Sequence, residues 1–273
     1  MSAGWTHTCG IESGNLYCWG WGREGQLGTG NTEDQFTPTR VGNYSNWTAI
    51  STGRGDHTCG IESGNLYCWG RGLEGQLGTG DNENQTSPTS VNTSKRDWTT
   101  VSAGSDHTCG IESEELYCWG ENGDGQLGDK TNTNKNTPMI ISRAGNWVDI
   151  SASIDHTCGV VDSGSLYCWG DGADYKLGLG DVNNKNSPTQ VGLKIETCRK
   201  KPGSSAYENT TFDILDWKEV GTGDIHTCGI TERDGGTIYC WGDGGNGRLA
   251  KSEDTSDFEQ PVKDAPCNGN VPP

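Results

Sequence analysis

The fourteen residues HTCGIESGNLYCWG at 7–20 return unchanged at 57–70, and variants of them return at 107–120, 156–170 and 226–242. A chain that copies one short unit five times has few folding options. A single unit of this size cannot bury its own apolar face, so the copies must stack on one another as a solenoid or a propeller. The paired cysteines of the units are Cys9 with Cys18, Cys59 with Cys68, Cys109 with Cys118, Cys158 with Cys168 and Cys228 with Cys240. Their first members lie near a 50-residue period, with one longer step between the fourth and fifth units.

Each unit offers four strand-like segments. In the second they are WTAIS (47–51), HTCGI (57–61), LYCWG (66–70) and PTSV (88–91). All are short, rich in β-branched or aromatic residues, and bounded by turn formers. Four strands per repeat of this length is the arithmetic of a propeller blade. The middle two read as a hairpin. With Glu12-Ser13-Gly14-Asn15 as the turn, Ile11 faces Leu16, Gly10 faces Tyr17 and Cys9 faces Cys18. Directly opposed residues on antiparallel strands are close enough for a disulfide. The longer fourth and fifth units place their extra residues in the turn, which preserves the pairing. Alternation puts Cys9, Ile11, Leu16 and Cys18 on one face and Gly10, Tyr17 and Trp19 on the other. Both faces are apolar, so the hairpin is expected to be covered on both sides, as a blade is by its neighbours. Trp69, Trp119, Trp169 and Trp241 repeat the position of Trp19. Gly10 opposite Tyr17 suggests that the tyrosine ring lies over bare backbone.

The expected organisation is one all-β propeller domain over 1–273, with about five four-stranded blades and one disulfide hairpin in each. The repeats fall near 1–46, 47–97, 98–146, 147–216 and 217–264, with an insertion at about 193–214 and a tail at 265–273. Two cysteines lie outside the hairpins: Cys198 in the insertion and Cys267 in the tail. They are expected to pair with each other, with pairing between molecules as the alternative. Aligning MSAGWTHTC with VSAGSDHTC starts the chain inside a strand, and QPVKD (260–264) reads as the fourth strand of the last unit. That arrangement leaves two possibilities, an imperfectly closed ring or head-to-tail contacts that build filaments.

The formal net charge of −17 argues against nucleic acid, which needs lysine and arginine patches. The one basic run is Arg199-Lys200-Lys201. No apolar run reaches the roughly 18–20 residues that span a bilayer, and no signal peptide is read at Met1. A disulfide in every blade implies an oxidising compartment, extracellular or at the cell surface.

The histidines His7, His57, His107, His156 and His226 all stand two residues before the first cysteine of a unit. His-x-Cys plus the later cysteine could supply metal ligands. Close Cys-x2–4-Cys pairs are missing, however, and the expected role is a hydrogen bond that ties blades together. Asp/Asn-rich loops NTED (31–34), DNEN (81–84), DKTNTN (129–134), DVNNKN (181–186) and SEDTSD (252–257) recur after each Leu-Gly or Leu-Ala. Turn chemistry accounts for them. Calcium or sugar binding is the functional alternative. No other cofactor is expected. Asn43, Asn46, Asn84, Asn92 and Asn209 begin Asn-x-Ser/Thr sequons, four of them in the connection ahead of a Trp-x-x-Ile type strand, where glycans are plausible. No nucleophile elbow, phosphate loop or partnered carboxylate pair is present, so an enzyme is not expected.

LYCWG followed by GQLGTG, then P-T-x-V and W-x-x-[IV]-S, resembles the repeat of the regulator-of-chromosome-condensation family. GQLG stands at 25–28, 75–78 and 125–128, and decays to YKLG at 175–178 and GRLA at 247–250. The resemblance implies a β-propeller, usually of seven blades, where five units are counted here. The founding member promotes nucleotide exchange on a small nuclear GTPase and sits on chromatin. This chain departs from it in its acidity, its missing basic tail and its blade cysteines. It is more similar to the cysteine-bearing propellers of secreted or surface proteins, where the role is binding or scaffolding. The expected function is therefore structural or adhesive, through self-association or through contacts with surface proteins and glycans. A lectin-like module is the alternative. An inhibitor of a partner enzyme or an exchange factor is a more distant reading.

Overall fold

A computed structural model describes residues 1–141, 144–192, 194–200, 207–213, 216–232 and 236–244. The polypeptide forms five blades of antiparallel strands. The first holds β1 (Ser2–Ala3), β2 (His7–Glu12), β3 (Asn15–Gly20) and β4 (Gln35–Arg40). The second holds β5 (Trp47–Thr52), β6 (His57–Glu62), β7 (Asn65–Gly70) and β8 (Gln85–Ser90). The third consists of β9 (Trp98–Ala103), β10 (His107–Glu112), β11 (Glu115–Gly120) and β12 (Lys135–Ile140). The fourth consists of β13 (Trp147–Ala152), β14 (His156–Val161), β15 (Leu166–Gly170) and β16 (Lys185–Gln190). The insertion forms a separate two-stranded hairpin, β17 (Lys194–Lys200) with β18 (Tyr207–Asp213). The last blade contributes β19 (Trp217–Thr222), β20 (His226–Thr231) and β21 (Ile238–Gly242). The segment proposed as its fourth strand, 260–264, lies outside the described residues.

The hairpin register follows the expected one. Cys9 pairs with Cys18, Gly10 with Tyr17 and Ile11 with Leu16, and Glu12 with Asn15 closes the ladder. Ser13 and Gly14 turn the chain with φ of 49° and 77°, the two positive φ values that match a hairpin's twist. Disulfides join Cys9 to Cys18, Cys59 to Cys68, Cys109 to Cys118, Cys158 to Cys168 and Cys228 to Cys240, with Cα atoms 4.1–4.2 Å apart. Cys168 and Cys240 keep their partners although their hairpin turns are longer, because the extra residues leave the ladder at the turn and the cysteines stay directly opposed. Each bridge closes a loop of about ten residues, worth about 2–3 kcal/mol in chain entropy. The Cys198–Cys267 pairing lies outside the described residues.

The apolar cores sit between blades. The cysteine face of one blade packs on the aromatic face of the next. Cys9, Leu16, Cys18 and Leu27 of the first blade meet Trp47 and Trp69 of the second. Cys59 and Cys68 meet Trp98 and Trp119, Cys109 and Cys118 meet Trp147 and Trp169, and Cys158 and Cys168 meet Trp217 and Trp241. Both faces of the hairpin are therefore dry in the second, third and fourth blades. Within each aromatic face the first-strand tryptophan stands edge-on to its neighbours; Trp47 lies 5.8 Å from both Tyr67 and Trp69. One expectation is corrected here. The ring over the hairpin glycine is this tryptophan and not the tyrosine: a Cβ on Gly60 would stand 2.8 Å from Trp47 Cζ3. Cross-strand opposition places Tyr67 beside Gly60, but the larger indole reaches in from the first strand. The fourth strand also begins earlier than PTSV suggests. It runs Gln85–Ser90, with Val91 just beyond it and buried. Its proline sits on the outer edge, where the missing N–H costs nothing and blunts strand addition.

The Gly-Gln-Leu-Gly motif locks one blade to the next. The backbone carbonyl of Gln26 accepts from Trp69 Nε1 at 3.0 Å and from the Thr58 hydroxyl at 2.8 Å, both from the following blade. Gln76 does the same for Trp119 and Thr108, and Gln126 for Trp169 and Thr157. The motif's last glycine has positive φ and lies flat against that indole; a Cβ on Gly78 would fall 2.6 Å from Trp119 Nε1. Where the sequence decays to YKLG the socket persists, and the Lys176 carbonyl serves Trp241 and Thr227. Trp19 is half-buried; the residues that would form its socket, GRLA, lie outside the described residues. Replacing Gly78 by Ala is expected to cost about 2–4 kcal/mol, combining left-handed backbone strain with overpacking. The measurement is the urea midpoint against wild type.

Candidate functional site: the funnel end of the propeller

The first strands of the blades surround a central axis. Serines stitch them together: the Ser51 hydroxyl accepts from the Ala103 N–H at 3.0 Å, Ser102 from Ala152 at 2.9 Å and Ser151 from Thr222 at 3.0 Å. Ser2 plays this part for Thr52 at 3.1 Å. Where these strands end, small residues such as Ala3, Gly4, Ala103, Gly104 and Gly223 line a funnel of about 320 Å³. Its floor is tight. A Cβ on Gly104 would overlap the Ser153 carbonyl of the next blade.

The histidines lie beneath this floor. His7 Nε2 is 2.7 Å from the Thr58 hydroxyl, His57 Nε2 is 3.0 Å from Thr108, His107 Nε2 is 2.9 Å from Thr157 and His156 Nε2 is 3.0 Å from Thr227. Each threonine has already donated its one proton to the motif carbonyl. It must therefore accept from the imidazole, which fixes the neutral Nε2–H tautomer. Burial depresses these imidazoles, His7 to about 4 and His57 and His107 to about 3. Burial likewise lowers His156, against the pull of Asp155. No group of three or more His, Cys, Asp or Glu able to hold an ion occurs among the described residues.

At His7, His57 and His107 the unfolded chain binds protons near pH 6.5 and the folded chain does not until about 3–4. Histidine-linked stability is therefore complete above pH 6.5 and is lost as pH falls towards 4. Each site contributes roughly 1.4 kcal/mol per pH unit inside that window. Denaturant midpoints are expected to fall steeply between pH 6 and 4.5, and His57→Gln should remove about one proton from the uptake measured on unfolding.

The Asp/Asn-rich loops of the first four blades spend their polar groups on themselves and on adjoining blades, and the fifth, 252–257, lies outside the described residues. The Gly22 N–H donates to Asp34 at 2.9 Å, Gly72 to Asn84 at 3.0 Å, Asn122 to Asn134 at 3.0 Å and Gly172 to Asn184 at 3.1 Å. The Asn84 amide also donates to Glu24 of the preceding blade at 2.7 Å. Asn43, Asn46 and Asn92 are exposed in the connections between blades. The Ser63 N–H donates to the Asn46 carbonyl, which places that connection at the hairpin-turn end, opposite the funnel. Asn209 was expected in such a connection. It lies instead inside β18, opposite Cys198 in the backbone register, because the insertion folds into its own hairpin.

At the funnel end the repeats stop being alike. The residue after the floor position is Trp5, Arg54, Ser105, Ile154 and Asp224 in successive blades, and the residue after the third strand is Trp21, Arg71, Glu121, Asp171 and Asp243. Both sets crowd the same end, since the Trp21 N–H donates to the Thr6 carbonyl and Arg71 to Asp56. Trp5 is 72 % exposed and Trp21 is 55 % exposed. Arg54 lies over the Trp5 ring, 4.6 Å from its centroid, and forms an ion pair with Asp224 across the mouth. Arg23 lies over Trp21 at 5.4 Å. Carboxylates dominate the opposite half. Burial raises Glu121, helped by Asp106 and Glu74, and burial raises Asp124, helped by Asp171 and Asp155. Lys176 sinks among them, 2 % exposed, paired with Asp155 at 2.9 Å and with Asp171. Burial would lower its ammonium, but the bonds from Asp171 and Asp155 prevail and raise it. It turns to Asp155 because Ile225 of the next blade occupies the place where Asp56 and Asp106 receive Gln26 and Gln76.

Blades joined in this way define a disulfide-stapled β-propeller of repeated four-stranded blades. Residues 1–270 match the model of the RCC1-like domain, and the chain belongs to that family. A 42-residue stretch, 15 % of the chain, is 50 % identical to the ultraviolet-B receptor UVR8 of Arabidopsis thaliana, covering 10 % of that protein. Yeast RCC1 (Prp20), in its complex with Kap60, superposes with a TM-score of 0.70 at 21 % identity over 95 % of this chain and 59 % of that one. Human WBSCR16 superposes at 0.65 and 17 % identity over 96 % and 80 %. This chain thus spans about three fifths of the yeast protein.

Proposed function

We propose that this protein is an extracellular or cell-surface interaction module, without catalytic activity, that engages a protein partner through its funnel end. The observation that carries the reading is the contrast between blade interlocks that repeat and funnel-end side chains that do not. Fixed positions build the scaffold, and the varied ones, including exposed Trp5 and Trp21 beside arginines, have the composition of interface anchors. The yeast relative is described with Kap60 bound and in terms of its binding to Gsp1p and histones. We infer the use of the propeller as a protein-binding platform, with different partners, since a charge of −17 does not suit chromatin. Disulfides in all five blades support an oxidising compartment.

The test is capture of a cell-surface partner by wild type and two variants. Trp21→Ser, at the funnel end, should reduce capture at least about fivefold. Phe36→Ser, on the outer edge where the ring is 93 % exposed, should leave it unchanged. Equal capture by both variants defeats the reading, and a strong glycan-array signal insensitive to Trp21→Ser favours a lectin instead. Glycosylation follows the same polarity. Expressed through a eukaryotic secretory pathway, Asn43, Asn46 and Asn92 should carry glycans. Asn84, whose amide is held by Glu24 at the funnel end, should not. Glycopeptide mapping reads this directly.

A further inference from the structure

We propose that Trp5 and Asp224 form a clamp for a guanidinium or ammonium side chain from a basic partner segment, and that Arg54 is its internal occupant. This deepens the interaction reading above and rests on it. The two groups stand on the first and fifth blades, and Arg54 reaches between them from the second. Its guanidinium lies over the Trp5 ring at 4.6 Å and pairs with Asp224. An indole face and a carboxylate are together the chemistry that selects a cation. The ion pair is easily exchanged, because its side chains are 35 % and 52 % exposed and water screens them.

The surroundings favour the same ligand. The funnel walls are small, with Ala3, Gly4, Ala103 and Gly104 leaving room for a long, thin side chain to enter beside the clamp. Among the described residues that line it, Arg54 is the one cation. The net charge of −17 steers a basic segment towards the mouth. An acidic ligand would have to draw Arg54 away and leave Asp224 unpaired beside its own carboxylate. A basic ligand replaces Arg54 with a group of the same kind, and Arg54 swings into solvent.

Removing Arg54 has opposite consequences in the two cases. If the clamp takes a cation, Arg54 is a competitor and its loss strengthens binding; if the mouth takes an anion, Arg54 is the receptor and its loss abolishes binding. The probes are acetyl-Gly-Gly-Arg-Gly-Gly-amide and its Glu counterpart, titrated against the indole N–H resonances of the full chain at low salt. The Arg peptide should bind wild type weakly and Arg54→Ala about five- to tenfold more tightly. Trp5→Leu or Asp224→Asn in the Arg54→Ala background should erase that gain, and so should 0.5 M salt. Arg54→Gln, which keeps the stem, should show the same gain and guards against a folding defect in the alanine variant. No gain in either Arg54 variant, or binding of the Glu peptide that is lost with Arg54, overturns the clamp. The clamp falls alone if Trp21→Ser still strips the surface partner. If Trp21→Ser does not, the interaction face itself falls, whatever the peptides do.

Discussion

One backbone carbonyl per blade carries the architecture. The carbonyl of Gln26, Gln76, Gln126 or Lys176 receives an indole N–H and a threonine hydroxyl from the next blade. The threonine in turn receives a histidine N–H from the blade that owns the carbonyl. The relay crosses the interface three times and is fully buried, so a partner lost at any point leaves a desolvated polar group behind. It demands a glycine where the indole presses and a neutral imidazole where a charge would be stranded. It also demands a tryptophan whose N–H reaches the preceding blade. Most of what repeats in the sequence repeats for one of these reasons.

The relay coexists with a thin aliphatic core. Each interface pairs a disulfide, a few Leu, Ile or Val side chains, and an edge-on cluster of Trp and Tyr. The disulfides of the first four blades are fully buried in this layer and serve both as cross-links and as apolar surface. Large indoles supply contact area that a hydrophobic content of 30 % would not otherwise provide. The design is quasi-one-dimensional, with each blade stabilised by its neighbours.

Because the relay and the core occupy the middle of each blade, the funnel end is free of their demands. The loops above the histidine layer keep one glycine or serine at the floor and then diverge. Arg54 can therefore reach Asp224 across the mouth, and Lys176 can be redirected to Asp155, without disturbing any socket. The uneven charge of this end, with arginines on the first two blades and carboxylates beyond, is written entirely in these released positions.

The sequence by itself determined the blade: its strand count, the hairpin register and the disulfide pairs, because alternation and a two-residue turn leave one way to oppose Cys9 and Cys18. The same opposition carries Cys68, Cys118, Cys168 and Cys240 to their partners in the later copies. The sequence also marked the histidines as ties between blades. The serine of W-x-x-[IV]-S was visible as a motif, but its partner is an N–H about fifty residues away that only the packing of successive blades brings near. Tertiary structure likewise decided that Trp47 and not Tyr67 covers Gly60, since reach from the neighbouring strand outweighs cross-strand opposition. It placed Asn209 inside a strand. Above all it assembled Trp5, Arg54 and Asp224, three residues whose repeats are unrelated in type and whose proximity arises from curvature about an axis. Local periodicity carries the chemistry of a blade, and the chemistry of the funnel mouth is a property of the way the blades curve together.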